Sequence, residues 1–309
     1  MSHLYIVEQS ALAPGGHYHA YTGCVARAAR DAGLDVTVLY NRRFRGEWNL
    51  DGVELIPAFT HTWGEADTLW IRDWTPGNLA YEIVDATRRR PPGRGDHVLV
   101  HTMGYAELRQ LLEYLVELPI VQDLPFYHLL MRYDADIMQA SLGTYRGLFD
   151  RINASPMLRE KIIFHTDTKQ LTRDFSSLTG VAFNTLPIPF AQEGLLERLA
   201  KRGPRGADEA LNIVYLGDAR LEKNYAAFPA AVRHLWSDYV EPGKARFSLQ
   251  SNTNVPGGEP GILQALQQLG LGELRRRPLP QHPRTRPLCR RLLLEAGRGF
   301  RHEGRWGSL

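Results

Sequence analysis

The sequence has little cysteine and no long apolar run. Among its 309 residues there are two cysteines, Cys24 and Cys289, and their separation along the chain does not suggest a disulfide framework or a zinc cluster. No segment approaches the roughly 18 consecutive apolar residues that cross a bilayer. The first residues, MSHLYIVEQ, lack the basic and apolar segments of a signal peptide. These absences predict a reduced, cytoplasmic, globular protein without a transmembrane segment, for which peripheral membrane contact stays open.

Most of the chain also lacks an excess of basic over acidic side chains. The formal net charge is +3, from 37 basic and 34 acidic side chains. Residues 273–309 hold ten Arg and three Glu, which leaves 27 basic and 31 acidic side chains in residues 1–272. A body with that balance has no electrostatic footprint for nucleic acid. No nucleic-acid partner is therefore expected, and a protein that contacts nucleic acid through its basic tail is kept only as the less favoured alternative.

The Arg-rich tail, residues 273–309, differs from the rest of the chain. It contains no Lys and no Asp, and four prolines fall within ten residues. One interpretation is a natural basic tail. The favoured interpretation is a frame-shifted or truncated end, because out-of-frame translation of GC-rich DNA yields Arg, Pro, Gly and Leu. An irregular tail is predicted, in which only Cys289–Ala296 forms a short helix.

Strand-like and helix-like patterns alternate over the first 190 residues, which predicts βαβ units and a parallel, doubly wound sheet. The predicted strands are His3–Glu8, Asp35–Tyr40, Val53–Phe59, Val98–His101, Ile120–Gln122, Ile162–His165 and Phe183–Leu186. The predicted helices are Ala20–Ala32, Asn78–Arg89, Ala106–Val116, Ser141–Ile152 and Lys169–Leu178. The fold class is therefore α/β with Rossmann-like domains.

A second unit of the same kind follows a linker. Its predicted elements are the strand Leu211–Gly217, the helix Tyr225–Tyr239, the strand Arg246–Gln250 and the helix Gly261–Leu269. The predicted domains are 1–190, a linker over 191–210, a partial second domain over 211–272, and the tail 273–309. The second domain is expected to be incomplete, since more strands are needed to bury its faces.

A glycine pair follows the first strand. In the loop Ala13-Pro14-Gly15-Gly16-His17, Gly15 and Gly16 allow the backbone to approach a ligand closely before a helix begins. An ordinary tight turn is the alternative. The dinucleotide pattern G-x-G-x-x-G is absent here, and the second strand is followed by Asn41 rather than an acidic ribose ligand.

A cationic motif follows the first strand of the second unit. It reads GDARLEKNY and places Gly217 at the strand end, with Arg220 and Lys223 three positions apart. Such a pair suits a diphosphate, because Arg can bind two oxygens at once and Lys adds a point charge. In the alternative interpretation the two cations pair with Asp218 and Glu222 in a solvated loop.

These features together resemble the GT-B glycosyltransferases of the family 4 type. The resemblance covers about residues 1–270 and is most specific at Gly217–Lys223, although Asn224 replaces the glycine of the familiar G-R-L-x-x-x-K-G form. It implies that Arg220 and Lys223 hold the diphosphate of a nucleotide-sugar donor, with Gly15 and Gly16 facing the sugar-phosphate. The pair of glutamates eight positions apart that this family carries has no convincing match here.

The acceptor side is expected after the strand predicted at Ile120–Gln122. The segment that follows, QDLPFYHLLMRYD, ends at Asp134, and residues at carboxyl strand ends lie beside the ligand crevice. The acceptor-side candidates are His17, Tyr127, Arg132 and Asp134. His128 is the candidate catalytic residue, because its imidazole can orient or deprotonate an acceptor hydroxyl. In the alternative, His128 is an ordinary surface histidine beside a core built from Phe126, Leu129 and Leu130.

The resemblance therefore implies a retaining glycosyltransferase that moves a sugar from a nucleotide sugar to an unknown glycan, lipid or small-molecule acceptor. No cofactor is expected, and no metal, since the histidines show no metal-binding spacing such as H-E-x-x-H. The main alternative is a catalytically inactive, sugar- or nucleotide-binding remnant of such an enzyme.

Overall fold

The chain divides into two compact units, Met1–Glu193 and Gly194–Leu309. The computed structural model describes residues 2–14, 16–63, 65, 73–101, 104–119, 121–132, 135–189, 201, 206, 209–215, 227–250, 274–277 and 291–294. Among these, no helix has the length and the apolar character that a membrane span requires.

The first unit is built around one seven-stranded parallel sheet. Its elements in chain order are β1 (His3–Glu8), α1 (Gly16–Asp31), β2 (Asp35–Asn41), β3 (Glu54–Phe59), α2 (Leu79–Ala86), β4 (His97–Val100), α3 (Tyr105–Glu117), β5 (Phe126–Met131), α4 (Ala135–Ala154), α5 (Pro156–Lys161), β6 (Ile162–Thr166), α6 (Lys169–Thr179) and β7 (Phe183–Thr185). The strand order is β3-β2-β1-β4-β5-β6-β7, and every pairing is parallel. The α/β, doubly wound class predicted from the sequence is confirmed.

The strand order reverses between β1 and β4. From β1 the chain proceeds outward through β2 and β3, then returns to place β4 on the other side of β1. In open parallel sheets this reversal leaves a crevice outside the carboxyl ends of the two central strands, where ligands bind. The carboxyl ends of β1 and β4 are therefore the first place to look for a site.

Alternate strand residues supply the cores on the two faces of the sheet. One face carries a large cluster that includes Val7, Val100, Leu129 and Phe164, covered by buried residues of α2, α3, α4 and α6. The other face carries a smaller cluster in which Ile6 and other residues of β1 and β2 pack against α1. Strands that are buried on both sides explain the nearly continuous apolar runs in the sequence.

Local sequence signals account for several helix ends. The side chain of Asn78 accepts a hydrogen bond from the N–H of Tyr81 at the start of α2. Thr168 does the same for the N–H of Leu171 at the start of α6. Gly180 caps the C-terminus of α6, and its φ of 70° is the left-handed conformation that glycine adopts without strain.

The strand predicted at Ile120–Gln122 is wrong, since β5 spans Phe126–Met131 instead. A parallel strand in this position must present apolar side chains to both faces of the sheet. β5 does so with Tyr127, Leu129 and Met131 on one face, whereas the predicted strand is too short to fill the same space. The error also changes the position of His128, as described below.

The second unit contains a four-stranded sheet. Its elements are β8 (Leu211–Tyr215), α7 (Phe228–His234), a π-helical turn (Trp236–Val240), β9 (Ala245–Gln250), β10 (Leu274–Arg277) and β11 (Arg291–Leu294). The order is β10-β11-β9-β8, with β8 and β9 parallel and the other pairs antiparallel. The helix predicted at Gly261–Leu269 lies outside the described residues.

The Arg-rich tail contains two short strands where the sequence predicted an irregular segment. The short helix predicted at Cys289–Ala296 is wrong, because Arg291–Leu294 forms β11 and pairs with both β9 and β10. A short apolar run such as Leu292–Leu294 is compatible with a helix or a strand, and periodicity cannot separate the two. Pairing with β9 decides the outcome.

Candidate functional site

A buried carboxylate stands at the carboxyl end of β1. Glu8 is the last residue of that strand and is fully buried. Its Oε1 accepts hydrogen bonds from the N–H groups of Ser10 at 2.7 Å and Ala11 at 2.9 Å. Its Oε2 lies 3.0 Å from Nε2 of His101. Burial alone would raise the pKa of Glu8, but the imidazole of His101 and these hydrogen bonds lower it overall.

The partner of Glu8 comes from the neighbouring strand. His101 directly follows β4 and is itself fully buried. Its Nε2 is also 2.9 Å from Oγ1 of Thr22, a residue of α1. The Glu8–His101 pair and Thr22 therefore connect β1, β4 and α1 at the point where the strand order reverses.

A cationic side chain lies beside this pair. The ring of Tyr21 stacks on His101, with centroids 4.4 Å apart. The guanidinium carbon of Arg132, at the carboxyl end of β5, lies 6.0 Å from the centre of the Tyr21 ring. Nε of Arg132 is 3.7 Å from Oδ2 of Asp167, which follows β6. Burial raises the pKa of Tyr21 to about 12.

We call this set of residues the carboxyl-edge cluster: Glu8, Tyr21, Thr22, His101, Arg132 and Asp167. Its residues come from four adjacent parallel strands or the positions after them, and from α1. The buried members stabilise one another, while Arg132 and Asp167 keep 24% and 18% of their side chains exposed. The cluster can therefore present a positioned guanidinium and a carboxylate to a ligand at the switch point.

The glycine loop is described in part. Gly15 lies outside the described residues. Gly16 begins α1 with a φ of 73°, and a Cβ added there would meet no heavy atom within 4 Å. His17 is exposed in the first turn of α1, with its ring 3.9 Å from that of Tyr18. The role of these residues beside a ligand stays a prediction.

Two residues predicted near the acceptor lie inside β5 instead of beyond a strand. Tyr127 is buried in the larger core, and burial raises its pKa. His128 is in the middle of β5 on the opposite face. The expectation that both follow a strand end is therefore wrong, for the reason given for β5. Arg132 directly follows β5, and both a catalytic role for His128 and an acceptor-side role for Arg132 stay predictions.

His128 belongs to a row of three histidines on adjacent strands. Its Nε2 is 3.0 Å from Nδ1 of His97 on β4, and its Nδ1 is 3.1 Å from Nε2 of His165 on β6. Burial, together with the two neighbouring imidazoles, lowers the pKa of His128 to about 4. Burial also lowers the pKa values of His97 and His165. The row therefore favours neutral imidazoles that share hydrogen bonds.

The remaining predicted site residues belong to the segments around the cationic motif and after Arg132. Asp134, Gly217, Arg220 and Lys223 lie outside the described residues. The elements that flank the cationic motif are described, and they are the strand β8 before it and α7 after it. The predicted order of strand, motif and helix is therefore present.

Sequence reasoning missed the centre of the carboxyl-edge cluster. Glu8 reads as the last residue of a strand, and Tyr21 and Thr22 read as ordinary helix residues. An acidic residue that ends a strand otherwise composed of apolar side chains was the available signal, because a buried carboxylate needs partners. Asn41, which follows the apolar part of β2, is structural: its side chain donates to the carbonyl oxygens of Gln9 and His61 at 2.7 and 3.1 Å.

A separate cleft of about 310 Å³ lies away from this cluster. It is lined by residues of α3 and of the segments that precede α2 and follow α3: Trp74, Asn78, Gln110, Glu113, Tyr114, Glu117 and Leu118. The cleft shares no residue with the carboxyl-edge cluster. Within the described part of the chain, no group of three or more His, Cys, Asp or Glu side chains is arranged to hold a metal ion.

No family model matches the chain, and no curated protein matches its sequence. Among solved structures, it is similar to CalG4, the calicheamicin glycosyltransferase, at 14% identity and a TM-score of 0.44, over 85% of this chain and 68% of that one. It is also similar to the glycotransferase of kitacinnamycin, at 14% identity and a TM-score of 0.47, over 84% and 67% of the two chains.

A third similar structure is an alpha-glucosyltransferase in complex with UDP and a 13-mer DNA. Its identity is 10% and its TM-score 0.38, over 78% of this chain and 55% of that one. All three TM-scores lie below 0.5, so these likenesses assign no activity to the chain. The fold class rests on the sheet described above.

The Glu8–His101 pair provides the first prediction. Glu8→Gln removes the charge while keeping the shape, so His101 and the two N–H donors lose their ionic partner. Breaking a buried pair from one side costs about 3–5 kcal/mol, and we expect that loss in the free energy of unfolding measured by urea denaturation. The control is Glu47→Gln at an exposed position, expected within about 0.5 kcal/mol of wild type. Equal stability of the two variants would show that the Glu8 carboxylate contributes no net stability.

The histidine row provides the second prediction. The pKa of His128 is about 4 in the folded protein and about 6.5 in an unfolded chain. The unfolded chain therefore binds more protons between these values, and the stability that neutral His128 contributes is lost as pH falls from about 6.5 towards 4.

The free energy of unfolding of wild type should decrease as pH falls over that range. In His128→Gln we expect that decrease to be smaller by about 2–3 kcal/mol. Urea unfolding at several pH values measures the difference, and His234→Gln, at an exposed histidine, is the control. Parallel pH profiles for wild type and His128→Gln would show that the row does not disfavour protonation.

Proposed function

We propose that the chain takes part in glycosyl transfer, with a nucleotide sugar as donor and an acceptor bound at the carboxyl-edge cluster of the first unit. The observation that carries the proposal is the position of this cluster. It lies at the carboxyl ends of parallel strands where the strand order reverses, which is where α/β sheets bind their ligands. It also offers a guanidinium and a carboxylate, which suit a hydroxyl-bearing ligand.

The acceptor side of the proposal rests on the arrangement around Arg132. Arg132 and Asp167 lie at the carboxyl ends of β5 and β6, with partly exposed side chains. The ring of Tyr21 stacks on His101 of the buried pair. The guanidinium of Arg132 lies over the Tyr21 ring, 6.0 Å from its centre. A ligand would therefore meet polar groups that are already held in place, which lowers the cost of binding.

The donor side rests on the cationic motif of the second unit. The motif occupies the connection between the carboxyl end of β8 and the helix α7. In that connection, Arg220 can bind two phosphate oxygens and Lys223 adds a point charge. Gly217 leaves space for the backbone to approach the ligand. These residues are proposed to hold the diphosphate of the donor, with Gly15 and Gly16 near the sugar-phosphate.

The proposed chemistry follows from the charges on the leaving group. The diphosphate develops negative charge as the sugar departs, and positioned cations stabilise that charge. Arg220 and Lys223 would supply this stabilisation without a divalent ion. Retention of the anomeric configuration comes from the family 4 resemblance alone and is part of the proposal, as are a cytoplasmic location and a glycan, lipid or small-molecule acceptor.

The direct test is transfer from a panel of UDP-, ADP- and GDP-sugars to mixed acceptors, with the full-length chain and detection of the released nucleoside diphosphate and the product by mass spectrometry. Product that depends on both donor and acceptor supports the proposal. Binding of a nucleoside diphosphate without product would favour the inactive remnant, which the missing glutamate pair also favours. Neither binding nor product would reject both.

The cationic motif provides a further prediction. Arg220→Ala and Lys223→Ala should each weaken nucleoside diphosphate binding by about 1–3 kcal/mol, the range for hydrogen bonds to charged groups. Binding of the corresponding nucleoside, which lacks the phosphates, should be nearly unchanged. Isothermal titration calorimetry measures both.

The matched control is Lys244→Ala, which removes an exposed cation from the second unit and should leave both affinities as in wild type. Equal losses for nucleoside and nucleoside diphosphate would show that Arg220 and Lys223 support the fold instead of the phosphates.

A further inference from the structure

We infer that Arg132 is an oxyanion-binding residue, and that the acceptor of the proposed reaction therefore carries a carboxylate or a phosphate. The identification of the bound ligand as the acceptor rests on the proposed function. The binding of an oxyanion at Arg132 can be measured without any transfer. The observations that carry the inference are the partial exposure of the side chain, the N–H donors that make no hydrogen bond among the described residues, and the rigid support of the guanidinium.

The side chain of Arg132 is partly exposed and has few polar partners among the described residues. Three quarters of the side chain is covered, since 24% is exposed. Its Nε lies 3.7 Å from Oδ2 of Asp167, which is longer than a hydrogen bond. Among the described residues, neither Nη1 nor Nη2 makes a hydrogen bond. The four N–H donors of Nη1 and Nη2 are therefore unpaired in the described part of the chain, while Nε faces Asp167.

The open donors of Arg132 are accessible to a ligand. The side chain is 24% exposed, so an anion can reach its N–H groups without displacing a protein partner. Two oxygens of a carboxylate or phosphate fit the Nη1 and Nη2 donors in a bidentate pair. Because Asp167 approaches the Nε side of the guanidinium, the Nη1/Nη2 edge is the edge that such a ligand can use.

The support of Arg132 is built from the buried part of the cluster. The Tyr21 ring lies 6.0 Å from the guanidinium carbon, within the range of a cation–π contact. Tyr21 is itself buried and stacked on His101, which the carboxylate of Glu8 holds at 3.0 Å. The cation therefore does not need to be ordered when a ligand arrives, and preorganised donors bind more tightly than mobile ones.

Asp167 suggests a different ligand, a neutral polyol. Its Oδ1 is buried and has no hydrogen-bond partner among the described residues. A neutral polyol could donate a hydroxyl to Asp167 and accept a hydrogen bond from Arg132. An oxyanion is favoured because its full negative charge faces the guanidinium and two of its oxygens accept from two N–H donors at once, whereas a hydroxyl offers one oxygen.

The test is calorimetric titration of the full-length chain with glucose 6-phosphate, glucuronate and glucose, followed by inorganic phosphate as a competitor. We expect the two anionic sugars to bind at least tenfold more tightly than glucose, and inorganic phosphate to displace them. Equal binding of glucose and glucose 6-phosphate would overturn the inference in favour of the neutral polyol. Absence of binding by every anionic probe at millimolar concentration would overturn it as well.

Three variants assign the effect to Arg132. Arg132→Gln should lower the affinity for glucose 6-phosphate at least tenfold, and Arg132→Lys should restore part of it, because Lys keeps the charge but loses the planar fork. The control Arg146→Gln removes an exposed arginine of α4 and should bind as wild type. If Arg132→Gln fails to fold, Arg132→Lys still decides: wild-type affinity in a folded Arg132→Lys protein overturns the bidentate pair.

The outcomes separate this inference from the proposed function. Anion binding that depends on Arg132, with no product from any nucleotide sugar, would leave the subsite standing and reject glycosyl transfer. Transfer to neutral acceptors with unchanged KM and kcat in Arg132→Gln would reject the subsite and leave glycosyl transfer standing.

Discussion

The buried pair of Glu8 and His101 is the contact on which the site depends. It joins the ends of the two central strands at 3.0 Å, in the place where the strand order reverses. Two fully buried ionisable groups are tolerated only with complete partners, and Glu8 obtains them from the N–H groups of Ser10 and Ala11. The turn that leaves β1 is therefore shaped by the carboxylate it surrounds.

Polar groups at the carboxyl edge of the sheet and polar groups within the sheet are accommodated in different ways. At the carboxyl edge, two buried carboxylates are held by hydrogen bonds: Glu8 accepts from the N–H groups of Ser10 and Ala11, and Glu82 accepts from Thr60 and Gly77. In the sheet itself, both ring nitrogens of His128 find a partner, one in His97 and the other in His165. Neutral imidazoles can both donate and accept, so a row of them crosses three parallel strands without leaving a charge in the sheet.

The sequence indicated only part of the candidate site. Arg132 directly follows β5, ten residues beyond the strand end that the sequence predicted at Gln122, and its role beside an acceptor stays a prediction. His128 was expected beside it, but the alternation of apolar side chains in β5 places it in the sheet, because Tyr127 and Leu129 are needed for the opposite core. Glu8 gave little indication of its role, since its partner His101 is 93 residues away in the sequence.

The sequence by itself determined the alternation of strands and helices, the parallel class of the first sheet and the helix ends at Asn78 and Gly180. These depend on side chains a few residues apart, where the period of apolar residues and local hydrogen bonds decide the backbone. Only the tertiary structure decided the start of β5, the pairing of β11 and the assembly of the carboxyl-edge cluster. Each of these requires strands that are distant in sequence to become neighbours, and their mutual burial then selects the register and the ionic partners.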